Sequence, residues 1–173
     1  MRENSSLAAV RALILAVLFI TSGCTQTEST GQSNSQDDVA AISGVVTQLL
    51  ESNPASTTDL FGRTPDRIAC VSKAFGLSKT PAAPIGDGAI FAHVYCAAVD
   101  SGVNFDDASA FSGPIAVLVG PPVKIEVPLD GAENEASIRQ IFPNEIETAA
   151  LNSVADEGMK RELRQRYAAR QQS

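Results

Sequence analysis

Two apolar runs, each carrying a cysteine, are joined by a connection punctuated with proline and glycine, and they restrict the fold more than any other feature. Residues 67–77 (RIACVSKAFGL) place Ile68, Cys70 and Ala74 on one side and Ala69, Val71 and Phe75 on the other, the two-residue period of a strand. Residues 89–99 (AIFAHVYCAAV) are richer in β-branched and aromatic side chains, with Ile90, Val94, Cys96 and Ala98 on one face and Phe91, His93, Tyr95 and Val99 on the other. The connection, residues 78–88, contains Pro81, Pro84, Gly86 and Gly88 and reads as a long hairpin loop. In a hairpin centred near Ala83, Cys70 stands opposite Cys96. A helix over residues 65–75 is the competing reading, because Thr64-Pro65-Asp66 offers an N-cap followed by proline at the first helical position. The strand reading is favoured.

The N-terminus says where such a hairpin would live. Arg2 and Arg11 accompany an unbroken apolar stretch over residues 12–20 (ALILAVLFI), followed by Thr21-Ser22-Gly23 and then Cys24. A basic start, a short apolar stretch and small residues describe a secretory signal. The stretch is shorter than the roughly 20 residues a spanning helix needs. Small residues directly before a cysteine, with a polar tract after it, resemble the lipobox of bacterial lipoproteins. Ser22 and Gly23 fit that pattern, while Thr21 stands where Leu, Val or Ile is usual. The resemblance implies that residues 1–23 are removed and that Cys24 carries a thioether-linked diacylglycerol together with a palmitate-type acyl chain. The protein would then be held in the lipid bilayer, on the extracytoplasmic face of the cell membrane. Each buried methylene of such an anchor contributes about 0.8 kcal/mol. Residues 24–36 continue as CTQTESTGQSNSQ, polar beyond the cysteine, and are expected to be a disordered tether.

The chain has three cysteines, so lipidation of Cys24 leaves Cys70 and Cys96 as an even pair in an oxidising compartment. One disulfide is the expected result. A closed zinc site is not expected, since four ligands are needed and only His93 could join the two thiols. The formal net charge of −7 argues against nucleic acid and against charge-driven adhesion to anionic lipid.

The remaining pattern surrounds the hairpin with short elements. A helix is expected to open at Asp37-Asp38 and to run through Ile42, Val45, Val46, Leu49 and Leu50 until Asn53-Pro54. A Ser/Thr-rich loop is expected to follow, up to Phe61. Residues 114–119 (PIAVLV) and 123–127 (VKIEV) read as a second strand pair turned at Gly120-Pro121-Pro122. Helical spacing returns with Ile138, Ile141 and Phe142 and resumes after Pro143 over residues 146–151. Beyond Val154 the chain is rich in Lys, Arg, Glu and Gln, and is expected to be a solvated helix or frayed tail because its apolar face is thin. The expected architecture is one α+β domain over residues 37–152, with a small antiparallel four-stranded sheet and helices packed on one face. A charged segment would follow over residues 153–173.

Residues 95–142 combine a cysteine-bearing strand, Ser112-Gly113-Pro114 leading into a strand, Pro128-Leu129-Asp130-Gly131, and Ile141-Phe142-Pro143. This combination resembles a group of small uncharacterised exported bacterial proteins. The resemblance implies export and brings no activity with it. Physically, the glycines permit unusual backbone angles and the prolines fix turns.

Groups suited to catalysis are sparse. His93 is the one histidine, and no serine sits in a G-x-S-x-G elbow. Asp100, Asn104, Asp106 and Asp107 could offer oxygen ligands to calcium, but their spacing is not that of an EF-hand, and a solvated acidic loop is the preferred reading. No cofactor is expected. The chain reads as a non-catalytic binding module for a protein or cell-wall ligand, without hydrolytic activity. The alternatives are a small inhibitor of an exogenous hydrolase, inserting the 78–88 loop, and a hydrolase using His93.

Overall fold

The protein is described by a computed structural model, and the structure describes residues 33–77, 88–120 and 122–172. The leader, Cys24, most of the expected tether and the 78–87 portion of the hairpin loop lie outside these residues.

The fold is α+β, built on a four-stranded antiparallel sheet in the order β1-β2-β3-β4. The strands are β1 (Ile68–Leu77), β2 (Ala89–Ala98), β3 (Ala110–Leu118) and β4 (Lys124–Glu126). The segment that could have been helix or strand is therefore strand. β1 and β2 pair in the register that sets Cys70 against Cys96, and a bulge between Ala74 and Gly76 places Phe75 beside Phe91 on the same face. The two sulfurs are bonded, with Cα atoms 4.1 Å apart. This is the close spacing of an antiparallel pair that does not exchange backbone hydrogen bonds. Accordingly, the Cys70 N–H points off the sheet and donates to Glu51 Oε1 at 3.0 Å.

Among the described residues, five α-helices surround the sheet: α1 (Ser33–Ser52), α2 (Thr58–Phe61), α3 (Asn134–Ile141), α4 (Asn144–Leu151) and α5 (Glu157–Gln171). Here the arrangement departs from the expected single helical layer, because helices cover both faces. On one face α1 sets Val46 and Leu50 over Ile68, Cys70, Ile90, Val94, Cys96 and Ile115. On the other, α5 sets Met159, Leu163 and Tyr167 over Ala69, Val71, Ala97 and Val99. Beside it, α3, α4 and the two-residue link between them bring Ile138, Ala150 and Phe142 onto Phe91 and Ala116. The reason is visible in β2, where nine of the ten residues are buried, so both faces need a cover. The charged C-terminal segment is thus part of the domain rather than a solvated tail. Its three apolar residues recur every fourth position and form one complete stripe.

Other boundaries shift for local reasons. α1 begins at Ser33, so residues 33–36 of the expected tether are helical and Asp37-Asp38 fall beyond the first turn. The Ser/Thr-rich stretch after Asn53 forms a 3-10 turn over Pro54–Thr57 and then α2, which is closed by Gly62 in the left-handed conformation at φ 65°. β3 starts four residues before Pro114, and Ser112-Gly113-Pro114 lies within the strand instead of leading into it. Proline is tolerated there because β4 pairs only with residues 116–118 and leaves the earlier part of β3 as an edge. A Cβ at Gly113 would stand 3.1 Å from the Phe111 ring, so a larger residue there requires that ring to move aside.

The outer edge of β1 is closed by side chains. Ser43 Oγ accepts the Ala74 N–H at 2.9 Å. The Glu51 carboxylate, which takes the Cys70 N–H, also accepts from Arg170 at 2.6 Å and from Arg166 at 3.4 Å. One buried carboxylate thereby joins α1, β1 and α5, and it occupies an edge that would otherwise template pairing with another chain.

Candidate functional site

His93 lies at the centre of β2, on the face covered by α3 to α5, and is 3% exposed. Two serines hold its ring. Ser112 on β3 is paired with Tyr95, which puts it diagonally across from His93 on the same face. Its Oγ is 3.2 Å from His93 Nε2. Ser153 follows α4 in a tight turn, with its N–H on the Ala150 carbonyl, and its Oγ is 2.9 Å from His93 Nδ1.

Donor accounting fixes the direction of these bonds. The Ser153 hydroxyl donates its single proton to the Ala150 carbonyl at 2.8 Å. It can therefore only accept from the ring, so Nδ1 carries the proton. Nε2 is then a lone pair, and the Ser112 hydroxyl donates to it. The result is a chain from Ser112 through His93 and Ser153 to a backbone carbonyl. Ser112 is exposed, so the chain runs from the surface to a buried ring.

The electrostatics favour the neutral ring. Burial pushes the His93 pKa down; Lys73, its cross-strand partner, pushes it further, and Asp156 opposes them. Lys73 Nζ is 3.9 Å from Asp156 Oδ2, so both charges lie close together beside the imidazole. Asp156 also caps α5 by accepting the Met159 N–H at 2.9 Å. That backbone bond is the main reason its own pKa is lowered.

A stability effect follows. The unfolded histidine titrates near 6.5 while the folded one titrates lower. Between the two values the unfolded chain holds more protons, so stability is complete above about pH 6.5 and falls as pH drops toward the folded value. Urea midpoints measured from pH 7.5 down to 5 should decline, and the decline should be smaller in His93→Gln. Equal slopes in both proteins would show that His93 is not the group responsible.

The acidic loop is distributed differently. Asp100 pairs with Arg63, and Asp106 pairs with Arg164 of α5 at 2.8 Å. Arg164 also lies over the Phe105 ring, 5.1 Å from its centre. Asn104 precedes a 3-10 turn over Phe105–Asp107 without capping it through its side chain. The structure thus does not gather Asp100, Asn104, Asp106 and Asp107 around a point. Among the described residues no three His, Cys, Asp or Glu side chains converge as a metal cage requires. Nor is any described helix long and apolar enough to cross a membrane.

Away from His93, a groove of about 640 Å³ lies between α1 and α5, floored by β1. Ala40, Ser43, Gly44 and Thr47 form one wall, Glu162 and Arg166 the other, and Ser72 and Lys73 the floor. Sequence reading missed both Ser112 and this groove. Ser112 is followed at once by the turn-forming Gly113-Pro114, and the groove exists only because α5 docks. No family model, no curated protein and no solved structure matches the chain.

Proposed function

We propose that this protein is a membrane-anchored extracytoplasmic lipoprotein whose folded domain works by contact with a protein or cell-wall ligand. One observation carries the reading. The bridge between Cys70 and Cys96 uses two of the three cysteines. A buried structural disulfide belongs to an oxidising compartment, and the remaining cysteine is the one at the end of the signal-like leader. The groove between α1 and α5, which runs along residues 36–47 of α1, adds support as a concave surface for such a contact. Acidic net charge favours a basic partner, with binding that weakens as salt rises.

The test is fractionation of cells expressing the full chain. Wild type should pellet with membranes and yield a diacylglyceryl cysteine by intact mass, while Cys24→Ser should move to the soluble extracytoplasmic fraction. A Cys24→Ser protein that stays on the membrane as before would overturn the anchor. A partner captured equally well at low and high salt would overturn the charge-driven contact.

A further inference from the structure

We propose that Ser112 is a reactive serine, whose hydroxyl attacks an activated acyl or phosphonyl ester at the surface of the sheet while His93 takes its proton. The inference goes beyond the tethered, contact-based reading and does not depend on it. It departs from the expectation, drawn from the sequence, that the domain has no hydrolytic chemistry.

Three features combine. The first is reach, since Ser112 Oγ and His93 Nε2 are 3.2 Å apart, the hydrogen-bond distance of a nucleophile and its base. The second is polarity. Because Ser153 spends its proton on Ala150, the imidazole presents a lone pair toward Ser112 and not an N–H. A ring in the other tautomer would donate to Ser112 and could not act as its base. The third is placement. The base is buried and held by its far nitrogen, so its orientation is set before any ligand arrives. The nucleophile is exposed. Burial of a histidine for packing alone requires partners for both nitrogens, but it does not require that the donor to Nε2 be a surface hydroxyl.

The chemistry balances without a cofactor. A bond forms between Ser112 Oγ and the carbonyl carbon or phosphorus, and the bond to the leaving oxygen, or the P–F bond of a fluorophosphonate, breaks. The hydroxyl proton passes to His93 Nε2 and then to the departing alkoxide, phenoxide or fluoride. The products are an O-acyl or O-phosphonyl serine and an alcohol, a phenol or hydrogen fluoride. Throughout, Nδ1–H keeps its bond to Ser153, so transient protonation of the ring disturbs only the contact through which the proton moves. Lys73 from β1 and Asp156 from the turn before α5 are the charged groups facing the ring, and they act on it in opposite directions.

The experiment treats the full-length protein with a fluorophosphonate probe and maps the adduct by mass spectrometry. In parallel, release of p-nitrophenolate from p-nitrophenyl acetate is followed as a burst. A single adduct on Ser112 and a burst approaching one equivalent are expected, with both lost in Ser112→Ala. Ser112 is an exposed strand residue, so its truncation opens no cavity, although it removes the hydroxyl partner of His93 Nε2, and urea denaturation of Ser112→Ala confirms that the variant is folded. His93→Gln should slow labelling by about 100-fold or more, the usual contribution of a positioned base. Because that substitution alters a buried position, wild type is also labelled across pH, and its rate should fall as His93 becomes protonated. Absence of an adduct on Ser112, labelling equal in Ser112→Ala, or a Ser112 rate indifferent to both His93→Gln and pH would overturn the proposal.

Discussion

Replacing Tyr167 with alanine should lower the unfolding free energy by about 3–5 kcal/mol, the cost of removing a large aromatic side chain from a closed core. Tyr167 is 1% exposed and stands first by volume among the fully buried side chains. Its ring meets Phe105 edge-on, with centroids 5.4 Å apart, and its hydroxyl donates to the Val103 carbonyl at 3.0 Å. Truncation would open a cavity between α5 and the β1–β2 surface and would also free the loop that carries Phe105. Tyr167→Phe isolates the hydroxyl. It should cost about 1 kcal/mol or less, because Gln171 Nε2 also donates to the Val103 carbonyl and leaves it partnered. Urea denaturation of the two variants beside wild type measures both terms. A loss below 1 kcal/mol for Tyr167→Ala would mean that α5 is a detachable appendage rather than part of the core.

That outcome bears on what could be read from the chain. The β1–β2 hairpin was legible because alternation, a breaker-rich connection and two cysteines at mirror positions all point to one register. The α+β class followed from the order of the patterns. α5 was not legible as a packed helix, because Met159, Leu163 and Tyr167 are three apolar residues among many charged ones, and a stripe that narrow looks solvated unless a surface of matching shape is known. The surface in question is made of Ala69, Val71, Ala97 and Val99, small side chains that let a helix approach closely. Sequence alternation does show that β2 is apolar on both faces, and that implies a second covering layer. The Ser112–His93 contact was hidden for a different reason. It depends on the pairing of β3 with β2, and the start of β3 is obscured by the loop-forming residues Ser112, Gly113 and Pro114. Pairing registers are non-local, whereas periodicity is local.

Removing the disulfide is the other large effect. The double variant Cys70→Ala/Cys96→Ala should be less stable than the oxidised wild type by about 2–5 kcal/mol. The bridge closes a loop with a sequence separation of 26, for which loop-closure entropy gives roughly 3–4 kcal/mol. Its position adds to its effect. β1 is an edge strand, so β2 is its one neighbour in the sheet, and the bond fixes their register at Cys70 and Cys96. A slip by one residue would turn Ile68 and Cys70 away from Val46 and Leu50 and toward the α5 side. The apolar pattern alone still favours the native register, so the reduced protein should fold to the same structure with a lower urea midpoint. The unfolded chain, released from its loop, should also expose more surface and give a larger m-value. The measurement is a set of urea curves for oxidised wild type, reduced wild type and the double variant. The two unbridged forms should agree with each other and fall below the bridged one. Three coincident midpoints would show that the bridge adds nothing to a register already held by packing.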